Sequence, residues 1–480
     1  MRLAELLLFK LSLRRSVHHP YLYSTQNIQY SMLNVQLSRI TCIISIILVL
    51  SSCSFQQKIS KSAQQVFNDS SLLTAHVGIS IYEPESGKYW YNYQGDKYFV
   101  PASNTKLPTC YAAMKYLGDS LKCFLAIEND TALIILPAGD PTFLHPDYKT
   151  QPAFDFLKKS KKKIYTTDIK WKSEALGSGW SWNDYNESYM AERSPMPIYG
   201  NLLKWVQEKL NNNGMTPFAI YSDPEINWPV NFNIEGKAKN FEVKRKIGEN
   251  EYELIQGTEK YKEVYVPFIT QGIKSSIELL SDTLGKNILL NDKTLTKLFE
   301  KVEFSAHYIK TQPTDSLLKP MMHRSDNFFA EQSLLMVSNE RLGIMNDEKI
   351  IDTLLKTDFK DLPQRPRWAD GSGLSRYNLF TPQDFVSILN KMKNEFGMER
   401  IKVIFPTGGT GTISNYYKAD SNFIFAKTGT LSGVVALSGF LYTKKGKLLI
   451  FSTLVNNHQA SSTAVRRAVE KFIEGIRNKY

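Results

Sequence analysis

Two serines, two lysines and an asparagine stand in this 480-residue chain at spacings that suit nucleophilic catalysis. The first group is Ser103-Asn104-Thr105-Lys106, of the form S-x-x-K. A hydroxyl is a poor nucleophile until a base takes its proton. Residues three apart on a helix share a face, so the Lys106 amine can reach the Ser103 hydroxyl. That amine accepts a proton only when neutral. Burial, together with a second cation at Lys427, would lower its pKa from about 10.4. In the second group, Ser325-Asp326-Asn327, Ser325 can pass the proton on to a leaving amine, while Asn327 can hold a substrate amide and orient the lysine. In the third, Lys427-Thr428-Gly429, the first two residues can receive the terminal carboxylate of a peptide, and Gly429 lets a backbone run close beside the strand. The backbone N–H groups of Ser103 and Thr430 are the natural donors to a developing oxyanion, each worth about 3 kcal/mol. Singly, each group has a plainer explanation: surface helix chemistry, a capped helix start, a turn. All three in this order, each on a suitable element, point to catalysis.

The elements that must position them follow from periodicity. Ser103 precedes a helix whose apolar positions Leu107, Cys110, Tyr111, Met114 and Leu117 form one buried stripe, with Gly118 as its stop. Pro108 lies in the first two turns of that helix and predicts a local distortion. Residues 76–82 and 89–93 read as a hairpin, with Pro and Gly between them. Residues 422–427, 434–442 and 447–455 read as three strands, followed by a helix with Val465, Val469, Phe472, Ile473 and Ile476 on one face. Hairpin, strands and helices make one α/β domain, an antiparallel sheet flanked by helices. A large insertion interrupts it, predicted over 145–310, with a helix at 200–210 and strand-like fragments near 241–244, 251–255 and 264–268. The main domain resumes at 311–480 with a helix around 325–337.

The trio is shared by penicillin-binding proteins and class A β-lactamases, and the similarity extends across the chain. Residues 101–107 (PASNTKL), 139–142 (GDPT), 179–201 (GWSWNDYNESYMAERSPMPIYGN), 370–378 (DGSGLSRYN) with Thr381-Pro382, and 426–430 with Gly433 resemble the class C low-molecular-weight penicillin-binding proteins. These are D-alanyl-D-alanine carboxypeptidases and endopeptidases with a serine β-lactamase/D,D-peptidase-like fold. The resemblance implies removal of terminal D-alanine and cleavage of D-alanyl crosslinks in peptidoglycan stem peptides, through an acyl-enzyme on Ser103 that water resolves. It also implies covalent inhibition by β-lactam antibiotics. Asp140 falls where the family contacts the amino group of the diaminopimelate side chain, although Gly-Asp-Pro is equally a turn. His323 stands where the family usually carries Asn and is expected in the wall of the site. Two rivals remain. A β-lactamase-like hydrolase would not need the 222 positions between Ser103 and Ser325, and no E-x-x-L-N follows Asn327. A catalytically idle wall-binding lipoprotein would keep the groove and lose turnover, yet every polar residue the chemistry needs is present.

The first 53 residues differ in kind. Residues 40–50 are almost wholly apolar and end in Leu50-Ser51-Ser52-Cys53, which resembles a lipoprotein processing box with Cys53 as the acylated residue. A signal beginning at Met32 has ordinary proportions, so 1–31 reads as an extension from a misassigned start. The body of the chain, which starts with the first part of the main domain at 54–144, is then expected outside the cytoplasm, lipid-anchored on the periplasmic face. Ser54 offers no Asp-type retention signal, which favours the outer membrane. The composition, 42% hydrophobic and 22% charged, is that of a folded protein. Its net charge of +12 is dispersed, suiting anionic wall polymers and giving no argument for nucleic acid. No cofactor is implied, and the histidines show no metal-ligand spacing. The 405–412 run (FPTGGTGT) lacks the Gly-Lys-Ser/Thr of a phosphate loop. A bridge between Cys110 and Cys123 is conceivable.

Overall fold

The computed structural model describes residues 59, 61, 63, 64, 68–210, 218–233, 238–290 and 305–480. The expected leader and Cys53 lie outside the described residues. Everything that follows belongs to one compact unit, Ser62–Tyr480.

In chain order, β1 (His76–Glu83) and β2 (Lys88–Tyr93) form the expected hairpin, and α1 (Lys106–Tyr116) carries the first motif. There follow β3 (Ser120–Glu128), β4 (Ala132–Pro137), α2 (Pro152–Lys159), β5 (Lys163–Thr166), β6 (Leu202–Lys209), β7 (Phe218–Asp223) and β8 (Val230–Phe232). Next come β9 (Glu242–Arg245), β10 (Tyr252–Ile255), β11 (Tyr261–Pro267), α3 (Lys274–Leu284), β12 (Ile288–Leu290) and β13 (Ser305–Pro313). The chain ends with α4 (Thr314–His323), α5 (Asn327–Leu342), α6 (Asp347–Lys356), α7 (Pro382–Ile404), β14 (Ile424–Leu431), β15 (Val434–Tyr442), β16 (Leu448–Asn456) and α8 (Ser462–Lys479).

The first sheet runs β14-β15-β16-β1-β2 and is antiparallel throughout. Its two ends are therefore the chain's last strands and its first hairpin, joined through β16 and β1. Strands β15 and β16 are buried along nearly their whole length because α7 and α8 pack against them. The stripe predicted on α1 is wholly buried, and it shares one apolar core with Leu317, Met321, Phe329, Leu334, Phe385 and Ile450. Val465, Val469, Phe472, Ile473 and Ile476 of α8 are buried as the periodicity requires. The fold is thus an antiparallel sheet flanked by helices.

A second five-stranded sheet runs β12-β5-β4-β3-β13, and two three-stranded sheets, β8-β10-β9 and β11-β6-β7, adjoin it. They share a separate core with Phe124, Trp205, Tyr252 and Phe268. Strands β3, β4 and β13 belong to this second sheet, so its strands extend beyond 145 and 310 on both sides.

Two local expectations fail. Residues 200–210 are not a helix: a single 3-10 turn, Tyr199–Asn201, leads into strand β6. Two neighbouring strands, β7 and β11, hydrogen-bond to it on either side, and that pairing overrides a sequence with no strong local preference. Pro108 does not kink α1. It lies in the first α-helical turn, where an N–H has no intrahelical partner to lose.

Candidate active site

Ser103 sits in a 3-10 turn, Ala102–Thr105, immediately ahead of α1. Lys106, the first residue of the helix, is fully buried. Its Nζ lies 3.1 Å from Ser103 Oγ, 2.6 Å from Asn327 Oδ1 and 2.8 Å from the carbonyl oxygen of Ser372. Burial pulls the Lys106 pKa down to about 8, opposed by the carboxylates of Asp370, Glu331 and Asp326. Desolvation is the largest cause of the depression; the repulsion between Lys106 and Lys427 that the sequence predicts is expressed in the lowered pKa of Lys427.

The third partner of Lys106 is delivered by the 370–378 loop. Asp370 organises that loop by accepting from the N–H groups of Gly373 at 2.8 Å and Ser375 at 2.7 Å, from Asn378 Nδ2 at 2.8 Å and from Trp180 Nε1 at 3.0 Å. Gly373, at φ 84°, passes so close to the nucleophile turn that a Cβ would stand 1.9 Å from the Ala102 carbonyl oxygen. Only glycine permits this approach. Glu331, fully buried on α5, accepts from the Ser372 N–H at 2.7 Å and faces Arg193 Nη1 at 3.4 Å. Burial, with Asp370 beside it, lifts the Glu331 pKa to about 7.

Ser325 has φ 61°, an uncommon conformation for a residue with a side chain. It is fixed from both sides. Asp326 caps α5 by accepting from the Phe329 N–H at 3.0 Å, while Ser325 Oγ accepts from Lys427 Nζ at 2.8 Å. The S-D-N group is therefore a capped helix start and part of the site at once. Asn327 is held by donating to the Tyr189 carbonyl at 3.0 Å, which aims its Oδ1 at Lys106.

Lys427 is fully buried on the edge strand β14, and its second hydrogen bond, 2.7 Å, goes to the Thr428 carbonyl. Its pKa is pushed down by burial, then by the neighbouring cations Lys106 and Arg466. The Ala426 N–H turns outward to the Pro406 carbonyl at 3.1 Å. Strand alternation therefore puts the Thr428 and Thr430 N–H groups on the same open edge. A Cβ on Gly429 would lie 2.6 Å from the Pro101 carbonyl oxygen and 3.1 Å from Ser103 N, so the edge strand runs directly alongside the nucleophile. Ser103, Asn327, Gly373 and Thr430 line a cleft of about 570 Å3 together with Asp184 and Tyr189.

Four further features of the sequence take the following places. Asp140 is fully buried and does not line this cleft. Its carboxylate accepts from Thr142 N at 2.9 Å, from Thr142 Oγ1 at 2.7 Å and from the Thr311 hydroxyl, so of its two readings the turn holds. His323 is half-buried, with its pKa lowered chiefly by burial, and its backbone packs on Gly411, where a Cβ would meet its carbonyl oxygen at 2.8 Å. The glycine-rich 405–412 run is thus a clamp behind the site: Thr412 receives a 2.8 Å hydrogen bond from the Thr428 hydroxyl. Cys110 and Cys123 are both buried free thiols. Sequence reasoning missed Glu331, Arg193, Ser372 and Asp184. Of these, Glu331 was discoverable, since it follows Asn327 by one helical turn and shares its face.

Comparison with known proteins adds the following. Residues 59–479 match the D-Ala-D-Ala carboxypeptidase 3 (S13) family. The chain is 26% identical over 436 residues to the D-alanyl-D-alanine carboxypeptidase DacB of Haemophilus influenzae, covering 81% of this chain and 87% of that protein. It is 24% identical over 455 residues to the D-alanyl-D-alanine carboxypeptidase of Actinomadura sp. strain R39, covering 84% and 82% respectively. The crystal structure of penicillin binding protein 4 from Haemophilus influenzae superposes with a TM-score of 0.67 at 21% identity, over 88% of this chain and 98% of that one.

Proposed function

Since this chain belongs to the D-Ala-D-Ala carboxypeptidase 3 (S13) family, we propose that Ser103 is its acylated nucleophile, Lys106 its general base, and that it cleaves D-alanyl crosslinks as well as terminal D-alanine. One observation carries this reading. Two of the three groups around Lys106 Nζ, Asn327 Oδ1 and the Ser372 carbonyl, can only accept hydrogen bonds. A neutral amine has two N–H bonds to give them, which leaves its lone pair for the Ser103 hydroxyl at 3.1 Å. A pKa of about 8 keeps an appreciable neutral fraction near physiological pH.

The Ser103 proton passes to Lys106 as Oγ attacks the carbonyl of the penultimate D-alanine. The N–H groups of Ser103 and Thr430 receive the oxyanion. Collapse breaks the C–N bond, and the leaving amine takes a proton through Ser325, which Lys427 holds in place. Water then attacks the ester, releasing the shortened peptide and restoring Ser103. The β14 edge formed by Thr428, Gly429 and Thr430 binds the end of the peptide, with Lys427 buried beneath it on Ser325. Asp184, a half-buried carboxylate in the cleft wall, suits the role the resemblance gave to Asp140, a contact with a substrate ammonium group. In a terminal D-alanine, and equally in a diaminopimelate joined through its D-centre, a carboxylate sits on the carbon next to the leaving nitrogen. One site can therefore serve both bonds.

Incubation with crosslinked and uncrosslinked muropeptides tests this. Wild type should release D-alanine and monomers, and Ser103→Ala should release neither. Undiminished products from the mutant would refute the assignment. Penicillin should label Ser103 with an adduct lasting many minutes, whereas turnover within seconds favours a β-lactamase.

The proposed location is the periplasmic face of the outer membrane, through a lipid on Cys53. Among the described residues no helix is long and apolar enough to cross a membrane. Metabolic labelling with a fatty acid should mark the wild type and not Cys53→Ser. Equal labelling would remove the anchor from this account.

A further inference from the structure

Among the described residues, neither basic side chain at the β14 edge, Lys427 or Arg466, is paired with a carboxylate. Lys106 has carboxylates around it, but the charged groups acting on Lys427 are Lys106 and Arg466, both cations. Arg466 comes from the first turn and a half of α8, which packs against β15. Its Nη2 donates to the Thr430 hydroxyl. Among the described residues it pairs with no carboxylate, in contrast to Arg467, which pairs with Glu470. Its Nε is buried and has no hydrogen-bond partner. The guanidinium otherwise rests near the Tyr416 ring, 5.9 Å from its centroid. A buried donor of this kind costs free energy unless a ligand completes it.

Thr428 and Thr430 share the strand face that Arg466 approaches, by the alternation of β14. Thr428 is tied back to Thr412, so Thr430 is the hydroxyl that links Arg466 to the open edge. Lys427, by contrast, is sealed beneath the strand on Ser325 and the Thr428 carbonyl. It supplies field to the edge but spends its hydrogen bonds elsewhere.

We propose that Arg466 is a specificity-determining residue: with Thr430 it forms the subsite for the carboxylate next to the leaving nitrogen, so the enzyme selects a free acid over a neutral end through an arginine outside the three motifs. A guanidinium matches a carboxylate in geometry as well as charge. The inference rests on the peptidase reading above and deepens it.

The experiment compares a peptide ending in D-Ala-D-Ala with the same peptide ending in D-Ala-D-alaninamide. Wild type should prefer the acid. Arg466→Gln should lose roughly 10- to 100-fold in kcat/KM on the acid, mostly through KM, and little on the amide. Arg466→Lys should retain part of the preference, and Arg467→Gln, which removes the same charge one residue along, should retain all of it. Amide activity retained in Arg466→Gln reports an intact fold. If that variant does not fold, the Arg466→Lys ratio decides, and an unchanged ratio counts against the proposal. An acid-to-amide ratio equal to wild type in Arg466→Gln overturns it while leaving the peptidase reading intact. Failure of the wild type to cleave either peptide, with no penicillin adduct on Ser103, overturns both.

Discussion

Lys106 and Lys427 are the same residue, equally buried, a few ångströms from one serine each, and they lie in opposite surroundings. The pocket around Lys106 contains Asp370, Glu331 and Asp326; the edge around Lys427 contains Lys106 and Arg466. In the first, acidic neighbours oppose the desolvation and leave the Lys106 pKa at about 8. In the second the neighbouring cations act in the same direction as burial and push the Lys427 pKa down. Burial alone does not decide what a lysine does. The sign of its neighbours matters as well: carboxylates hold the Lys106 pKa up, and cations push the Lys427 pKa down.

The strongest test of the contrast removes the base. Lys106→Met keeps the volume of the side chain and should lower kcat/KM for D-alanine release by roughly 10^3-fold or more, with thermal unfolding near that of wild type. Activity above a tenth of wild type would mean that Lys106 is not the base. Lys427→Ala should cost less, roughly 10^2-fold, since Ser325 loses its anchor while the base survives. If it costs more than Lys106→Met, the two roles are reversed.

The pH profile sharpens the comparison. A general base with a pKa of about 8 is mostly protonated below that value, so the acylation rate should climb as pH rises through about 8. Glu331 raises the Lys106 pKa, so Glu331→Gln should shift that limb to lower pH, by less than ~1 unit. A shift to higher pH would contradict the charge assignment. The smallest effect concerns the other lysine. An incoming carboxylate raises the lowered Lys427 pKa, so binding of a D-Ala-D-Ala peptide to Ser103→Ala should proceed with proton uptake and not release. Calorimetry in buffers of different ionisation enthalpy measures this, and proton release would break the contrast.

Much of the site was legible because its grammar is local. Ser103 and Lys106 lie within one helical turn, Asp326 caps the helix it begins, and the stripe from Leu107 to Leu117 follows the helical period. The misses share a cause. Glu331 and Ser372 act on Lys106 through a backbone carbonyl that a separate loop brings in, which no spacing announces. Residues 200–210 pair with strands distant in sequence and so became β6. The Gly-Asp-Pro of Asp140 had two readings, and its burial against Thr311 decided between them.

The order of residues alone determined which side chains could react and which surfaces must be covered, because both depend on neighbours a few positions away. Tertiary structure decided how strongly each amine holds its proton. Desolvation and Coulomb energy depend on distances in space, and the carboxylates beside Lys106 and the arginine behind Thr430 come from segments far along the chain. Only folding brings them within reach.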